Sequence, residues 1–214
     1  MAQVLLVRHA QAGVVGPHYD RLSDLGLEQA RRLGAALGPR LPRVDAVFSG
    51  TLTRHRRTAE ACLAAAGITR APELAPGFDE FDFREVIERY EIPAGEEIDA
   101  IVSGAIRRWI GGGVDHEYRE SWSRFRVRCT AALDRVIRAV GPSTTSLVFT
   151  SGGPIAAICQ SLLNIPDGGV PPLIGSLVNC GVTKVIFGAS GVRLSTLNDH
   201  GHLEAGPTGL ISYR

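Results

Sequence analysis

Residues 3–10 read Gln3-Val4-Leu5-Leu6-Val7-Arg8-His9-Ala10, an apolar run that meets an arginine and a histidine with no turn between them. A short β-branched and leucine run of this kind predicts a strand buried on both faces. Arg8 and His9 then emerge together at its carboxyl end, which in open parallel sheets is where ligands bind. An imidazole in that place can act as a nucleophile at neutral pH, because a useful fraction of it is unprotonated. Taken alone, the pair fits an ordinary histidine at a strand end equally well.

Working outward, strand and helix signals alternate. A Gly/Pro-containing loop leads to Ser23, which can cap a helix running through Leu25, Leu33 and Leu37 and stopping near Gly38. Residues 44–48 predict the next strand, and residues 53–66 a helix ended by Gly67. This beginning implies a parallel sheet with right-handed crossovers. Further on, Trp122, Phe125, Cys129, Leu133, Val136 and Val140 recur at steps of three or four, one face of a helix. Arg124, Arg126, Arg128 and Arg135 lie among them, a pattern read as a solvated amphipathic helix. Residues 146–149 predict a buried strand running into Ser151-Gly152-Gly153-Pro154 and a helix through Ile155, Ile158 and Leu162. Two more strands are expected at residues 182–187 and 192–197, joined by a turn at 188–191. The fold class expected is α/β, a mostly parallel central sheet with helices on both faces. Residues 1–214 are read as one domain, with about 73–140 a helical insertion or cap.

Composition narrows the function. There are 23 lysines and arginines, of which Lys184 alone is a lysine, against 22 aspartates and glutamates, for a net charge of +1. That balance argues against a general nucleic-acid binder, which needs surplus cations to displace phosphate counterions. A hydrophobic content of 44% suits a packed core rather than disorder. Cys62, Cys129, Cys159 and Cys180 are widely spaced, with no Cys-x-x-Cys pair, so four packed, reduced thiols are expected. No stretch approaches the roughly 18 apolar residues of a membrane span, and residues 4–7 are too short for a signal-peptide core. A cytoplasmic protein with neither nucleic acid nor membrane as partner is expected.

Two further segments converge on the sheet edge that holds Arg8 and His9. Ser49-Gly50-Thr51-Leu52-Thr53-Arg54 ends the second strand and places Arg54 in the first turn of a helix, where the dipole does not favour a cation. An anionic ligand nearby would explain that placement, and so would a neighbouring carboxylate. Thr150-Ser151-Gly152-Gly153 brings two glycines to a helix N-terminus, where backbone N–H groups can approach an anion closely. The same segment also reads as a plain N-cap and tight turn.

Jointly these blocks carry a resemblance. Arg8-His9-Ala10, then Leu22-Ser23-x-x-Gly26-x-x-Gln29-Ala30, then Ser49-x-x-Leu52-x-Arg54-x-x-x-Thr58-Ala59 resembles the histidine phosphatase superfamily, the phosphoglycerate mutase-like enzymes. Residues 3–60 carry most of the match and residues 144–158 some of it. The tail Leu197-Asn198-x-x-x-His202-Leu203 carries little, and the middle contributes Glu80 in Asp79-Glu80-Phe81-Asp82. The resemblance implies that His9 attacks phosphorus and becomes a phosphohistidine, while Arg8 and Arg54 hold the non-bridging oxygens with their planar donor forks. It implies that Glu80 protonates the leaving oxygen, and that Ser151 and Gly152 line the phosphoryl site. A solvated loop carboxylate is the other reading of Glu80. The implied partner is a phosphorylated small molecule. No cofactor and no metal is called for, and a homodimer would be unsurprising in this family.

One departure matters. The family usually carries a second histidine before these glycines, helping to hold the phosphoryl group, and here that position is Ser151. Three outcomes are open: a weakened site, another histidine in the space, or phospholigand binding without turnover. His200 and His202, in Asp199-His200-Gly201-His202 after a strand, are the first candidates for a substitute, and His55 is a lesser one. His-x-His also suggests a metal, but no third or fourth ligand declares itself. His18 and His116 read as loop residues. The function implied is a phosphatase working through phospho-His9, with a phosphomutase and a non-catalytic phospholigand-binding protein as alternatives.

Overall fold

A computed structural model describes residues 2–13, 19–93 and 95–213. The strands are β1 (Ala2–Arg8), β2 (Ala46–Ser49), β3 (Glu73–Leu74), β4 (Thr145–Thr150), β5 (Val182–Gly188) and β6 (Gly191–Asp199). The helices are α1 (Asp24–Leu37), α2 (Thr53–Ala66), α3 (Phe83–Glu88), α4 (Ile98–Ile110), α5 (Trp122–Val140), α6 (Gly152–Leu163), α7 (Val170–Ser176) and α8 (Gly201–Glu204). The six strands form one sheet in the order β3-β2-β4-β1-β5-β6. β1, β2, β3 and β4 run parallel, and β5 and β6 are antiparallel to their neighbours. The expected α/β class with a mostly parallel sheet is what the chain adopts. No helix among the described residues is long and apolar enough to cross a membrane.

The pleat sorts each strand between two cores. Val4 and Leu6 of β1, Phe48 of β2 and Val148 of β4 face one layer, where Trp122, Phe125, Cys129, Leu133 and Val136 of α5 pack with Ile155 and Ile158 of α6 and Trp109 of α4. Leu5, Val7, Val47, Leu147 and Phe149 face the other, against Leu33 and Leu37 of α1 and Cys62 and Leu63 of α2. Strands covered on both sides need apolar residues at consecutive positions, which is why residues 4–7 lack alternation. The caps follow local chemistry. The Ser23 hydroxyl accepts from the Gly26 N–H to start α1, and Gly67 ends α2 in the left-handed conformation with φ 69°.

β3 was not expected. It is two exposed residues long and exists through its pairing with Phe48 and Ser49 of β2. The solvated reading of α5 fits Arg124 and Arg135, which are exposed, but Arg128 turns inward. It donates from Nε and Nη2 to both Glu120 carboxylate oxygens and from Nη1 to the carbonyls of Pro76, Gly77 and Asp79. All four cysteines are buried and unpaired.

Candidate active site

Sheet order sets the site. β4 lies between β2 and β1, so Arg8 stands beside Thr150 and Ser49 beside Phe149, and the three carboxyl ends open onto one edge. Arg8, His9, Arg54 and Ser151 are all buried there.

His9 is held in one orientation. Its Nδ1 lies 2.8 Å from the Ala10 carbonyl, so Nδ1 carries a proton and donates, leaving the Nε2 lone pair for an electrophile. Its backbone is fixed by Asn179, whose Nδ2 donates to the His9 carbonyl at 3.0 Å, and by Thr58, whose Oγ1 accepts the Ala10 N–H at 3.0 Å. Burial drives the His9 pKa well below the ordinary imidazole value, and the neighbouring Arg54, Arg8 and His55 push it the same way. The ring is therefore neutral at neutral pH, the form a nucleophile needs.

Two guanidinium groups flank it. Arg8 donates from Nη1 to the Leu177 carbonyl and from Nη2 to the Tyr213 carbonyl at 2.9 Å, yet its buried Nε has no partner. Burial pushes its pKa down to about 10, with Glu80 opposing, so it stays charged at neutral pH. Arg54 donates from Nη1 to Oδ1 of Asp20 at 2.9 Å, and its buried Nε is likewise unpartnered. Asp20 also accepts the Thr53 N–H at 2.7 Å and the Arg54 N–H at 3.2 Å, doing for α2 what its N-cap residue Leu52 cannot. This carboxylate accounts for a cation in the first turn of a helix, while the free Nε still leaves a donor for an anion. A buried N–H without an acceptor is costly, so two of them converging on one edge mark a place for anionic oxygen.

Glu80 is half-buried and its carboxyl reaches the start of α6. Its Oε1 accepts the Phe81 N–H at 3.2 Å and its Oε2 the Gly153 N–H at 3.3 Å, at the start of α6. Burial raises its pKa, against the pull of Arg54, the two backbone N–H groups and Arg8. A Cβ on Gly153 would collide with Oε1, so only glycine admits the carboxyl there. The loop carrying Glu80 is pinned by Thr150, whose Oγ1 donates to the Phe78 carbonyl at 2.6 Å, and by Arg128. A carboxyl whose pKa burial raises, beside two arginines, suits a proton donor.

Ser151 occupies the N-cap position of α6, but its hydroxyl caps nothing. It lies 2.6 Å from Nε2 of His55, which is fully buried on α2 with its ring centroid 5.8 Å from that of His9. The space beside Ser151 thus belongs to His55. His200 and His202 are placed elsewhere, after β6 at the sheet's far edge, His200 as the N-cap residue of α8 and His202 within it. Nδ1 of His200 lies 2.6 Å from the Asn198 carbonyl, and burial lowers the His202 pKa to about 4. His116 is exposed, and His18 lies outside the described residues.

Sequence reasoning missed Asp20, Asp79, Arg128, Asn179 and the tail around Ser212. Ser212 donates to Asn179 Oδ1 at 2.9 Å, and buried Gln29 donates to both the Leu210 carbonyl and Ser212 Oγ. For His55 a signal existed: positions 55, 58, 59 and 62 recur at helical spacing, and His55 stands on that buried stripe with Thr58, Ala59 and Cys62.

A family model described as histidine phosphatase superfamily (branch 1) matches residues 4–200. Among solved structures, a phosphoserine phosphatase from Entamoeba histolytica in complex with phosphoserine superposes with a TM-score of 0.71, at 19% identity over 95% of this chain and 100% of that one. A mycobacterial glucosyl-3-phosphoglycerate phosphatase gives 0.67 at 22% identity over 92% of this chain and 98% of that one. A phosphoglycerate mutase from Bacillus anthracis gives 0.68 at 18% identity, covering 94% of each. These likenesses establish a shared fold. No curated protein sequence matches this chain significantly.

Proposed function

Because the chain belongs to the histidine phosphatase superfamily (branch 1), we propose that it is a phosphatase that hydrolyses a phosphorylated small molecule through a phosphohistidine on His9. One observation carries the reading: His9 has its Nδ1 tied to a carbonyl and lies near two guanidinium groups whose buried Nε atoms lack partners.

The steps follow from those atoms. The phosphoryl oxygens take up the Nε donors of Arg8 and Arg54 together with the Gly152 N–H at the start of α6. The His9 Nε2 lone pair attacks phosphorus in line, and the bond from phosphorus to the ester oxygen breaks. Glu80 delivers its proton to that departing oxygen. As a carboxylate it then takes a proton from water, which attacks phospho-His9 and releases inorganic phosphate with His9 restored.

The test is phosphate release from a panel of aryl, sugar and amino-acid phosphates in metal-free buffer. Turnover, an acid-labile phosphoenzyme and loss of both in His9→Ala are expected. No release from any substrate rejects the phosphatase reading. Phosphate recovered in an isomer of the substrate rather than in solution would make the protein a mutase. Ligand binding without a trapped phosphohistidine would make it a non-catalytic phospholigand-binding protein.

A further inference from the structure

Behind the phosphoryl site lies an array of three side chains that the steps above leave unused. His55 is fully buried, with Nε2 2.6 Å from the Ser151 hydroxyl and Nδ1 3.7 Å from Oδ1 of Asp79. That Nδ1 has no hydrogen-bond partner. Asp79 is fixed by Thr51, which donates to it from both its backbone N and its Oγ1 at 2.5 Å. Gly50 makes the approach possible, since a Cβ there would collide with Nδ1 of His55 and crowd Asp79. Buried polar side chains are rarely left half satisfied without a reason.

We propose that Asp79, His55 and Ser151 form a proton-coupled relay in which His55 positions the Ser151 hydroxyl as a donor to the phosphoryl group and sets a positive charge behind it. The proposal rests on the phosphoryl site argued above.

A neutral His55 carrying its proton on Nδ1, towards Asp79, offers Ser151 only a lone pair. The serine must then spend its single proton on Nε2 and turns lone pairs to the phosphoryl oxygens. The other neutral tautomer points an Nδ1 lone pair at the Asp79 carboxylate, which is unfavourable. The imidazolium satisfies everything: Nδ1–H faces Asp79, Nε2–H donates to Ser151, and the serine O–H is free to donate a hydrogen bond to a phosphoryl oxygen. One proton from solvent adds to Nε2 when the anion binds, and Ser151 keeps its own.

The groups facing His55 are Asp79 and Asp20, which favour the charged ring, and Arg54 and His9, which oppose it. Burial lowers the His55 pKa in the free protein, so the ring is neutral at rest. Asp79 is held below its ordinary value: burial works to raise it, but the His55 ring and the two Thr51 bonds outweigh that. By linkage, an anion that favours imidazolium must be bound more tightly where imidazolium is present.

The experiment measures orthovanadate affinity from pH 5 to 9 for wild type, His55→Gln, Ser151→Ala and the double variant. Glutamine keeps an N–H for Ser151 but cannot titrate, and the ligand's own ionisation cancels in the ratio of variant to wild type. Wild type is expected to lose about tenfold in affinity relative to His55→Gln as pH rises, the weight of one charge-assisted hydrogen bond. Ser151→Ala is expected to abolish that difference, so the two changes do not add. Because a buried site can fail to fold when altered, the wild-type imidazole ¹⁵N shifts of His55 provide a second reading. They should move from neutral to imidazolium values on adding vanadate at pH 7. A pH-independent ratio, additive effects, or a ring that stays neutral with vanadate bound would each overturn the relay. Vanadate binding with this pattern but no turnover would overturn the phosphatase reading and leave the relay standing. A wild type that does not bind vanadate would overturn both.

Discussion

Replacing Arg54 by lysine keeps the charge and removes the fork, so it isolates what the guanidinium geometry contributes. Arg54 uses Nη1 on Asp20 at 2.9 Å while its buried Nε stands free for a phosphoryl oxygen. An ammonium has one nitrogen and cannot meet both demands in these directions. If it stays with Asp20 the phosphoryl group loses a donor, and if it turns to the phosphoryl group Asp20 loses a side-chain partner. The phosphoryl contact is a charge-assisted bond of about 1.5–3 kcal/mol, which corresponds to a fall of roughly 10- to 150-fold in kcat/KM. Folding should barely notice. Asp20 still accepts the backbone N–H groups of Thr53 and Arg54 and so still caps α2, and the change should stay under about 1 kcal/mol. The assay is kcat/KM on an aryl phosphate beside a thermal melt. Activity within about threefold of wild type would refute the use of the fork. A collapse in Tm matching the loss of activity would show that the arginine serves the fold rather than the phosphoryl group.

Glu80→Gln should cost about a hundredfold or more with alkyl phosphates, which need a proton on the leaving oxygen, and far less with p-nitrophenyl phosphate; equal losses would remove Glu80 from the donor role. The raised pKa of Glu80 means the native state holds that proton more tightly than the unfolded chain does. Ionisation therefore costs stability above the native pKa and nothing below the ordinary carboxylate value, so Glu80→Gln should raise Tm at pH 8 and not at pH 3.5. For His9 the sign is reversed: the unfolded chain takes up the proton first as pH falls, and the native ring stays neutral to a lower pH. The acid limb of kcat/KM should accordingly lie below about pH 6.5, and a limb at or above that value would contradict the depressed pKa. Deleting residues 210–214 removes the Tyr213 carbonyl from Arg8 and Ser212 from Asn179. It should lower kcat/KM at least about tenfold, and unchanged activity would show that the tail does not hold Arg8.

The strands other than β3, and the helices α1, α2, α5 and α6, were legible because their causes are local. An apolar run covered on both faces, a serine at an N-cap and a glycine at a helix end each act over a few residues. Arg8, His9 and Arg54 were legible for the same reason, since each ends, directly follows or closely trails a strand. β3 was not, because nothing in Glu73-Leu74 prefers a strand; it forms only where β2 offers an open edge. Asp20 and Asp79 act across folded distance, on Arg54 and on Thr51 and His55. Their roles depend on which loops the sheet order brings together, and spacing along the chain carries no trace of that. His55 falls between the cases. Helical periodicity places it inside, but its partner Ser151 lies 96 residues away, and only the adjacency of β2 and β4 unites them.

That adjacency also explains how a nearly neutral protein concentrates positive charge. Of its 23 cationic residues, several meet carboxylates away from the site: Arg32 with Glu28, Arg57 with Glu60 and Arg108 with Glu117. Such pairs cancel charge at the surface and are individually weak. Among the described residues, the buried guanidinium N–H groups without a partner belong to Arg8 and Arg54, on neighbouring parts of one sheet edge. Screening by water is least there, so two fixed cations act on an anion far more strongly than net charge suggests. Burial depresses the pKa of His9 and the same field adds to it, so the groups that would hold the phosphoryl oxygens also help to keep the attacking nitrogen unprotonated. Removing either arginine should therefore weaken binding and raise the acid limb together. Two independent sets of residues would have no reason to couple those effects.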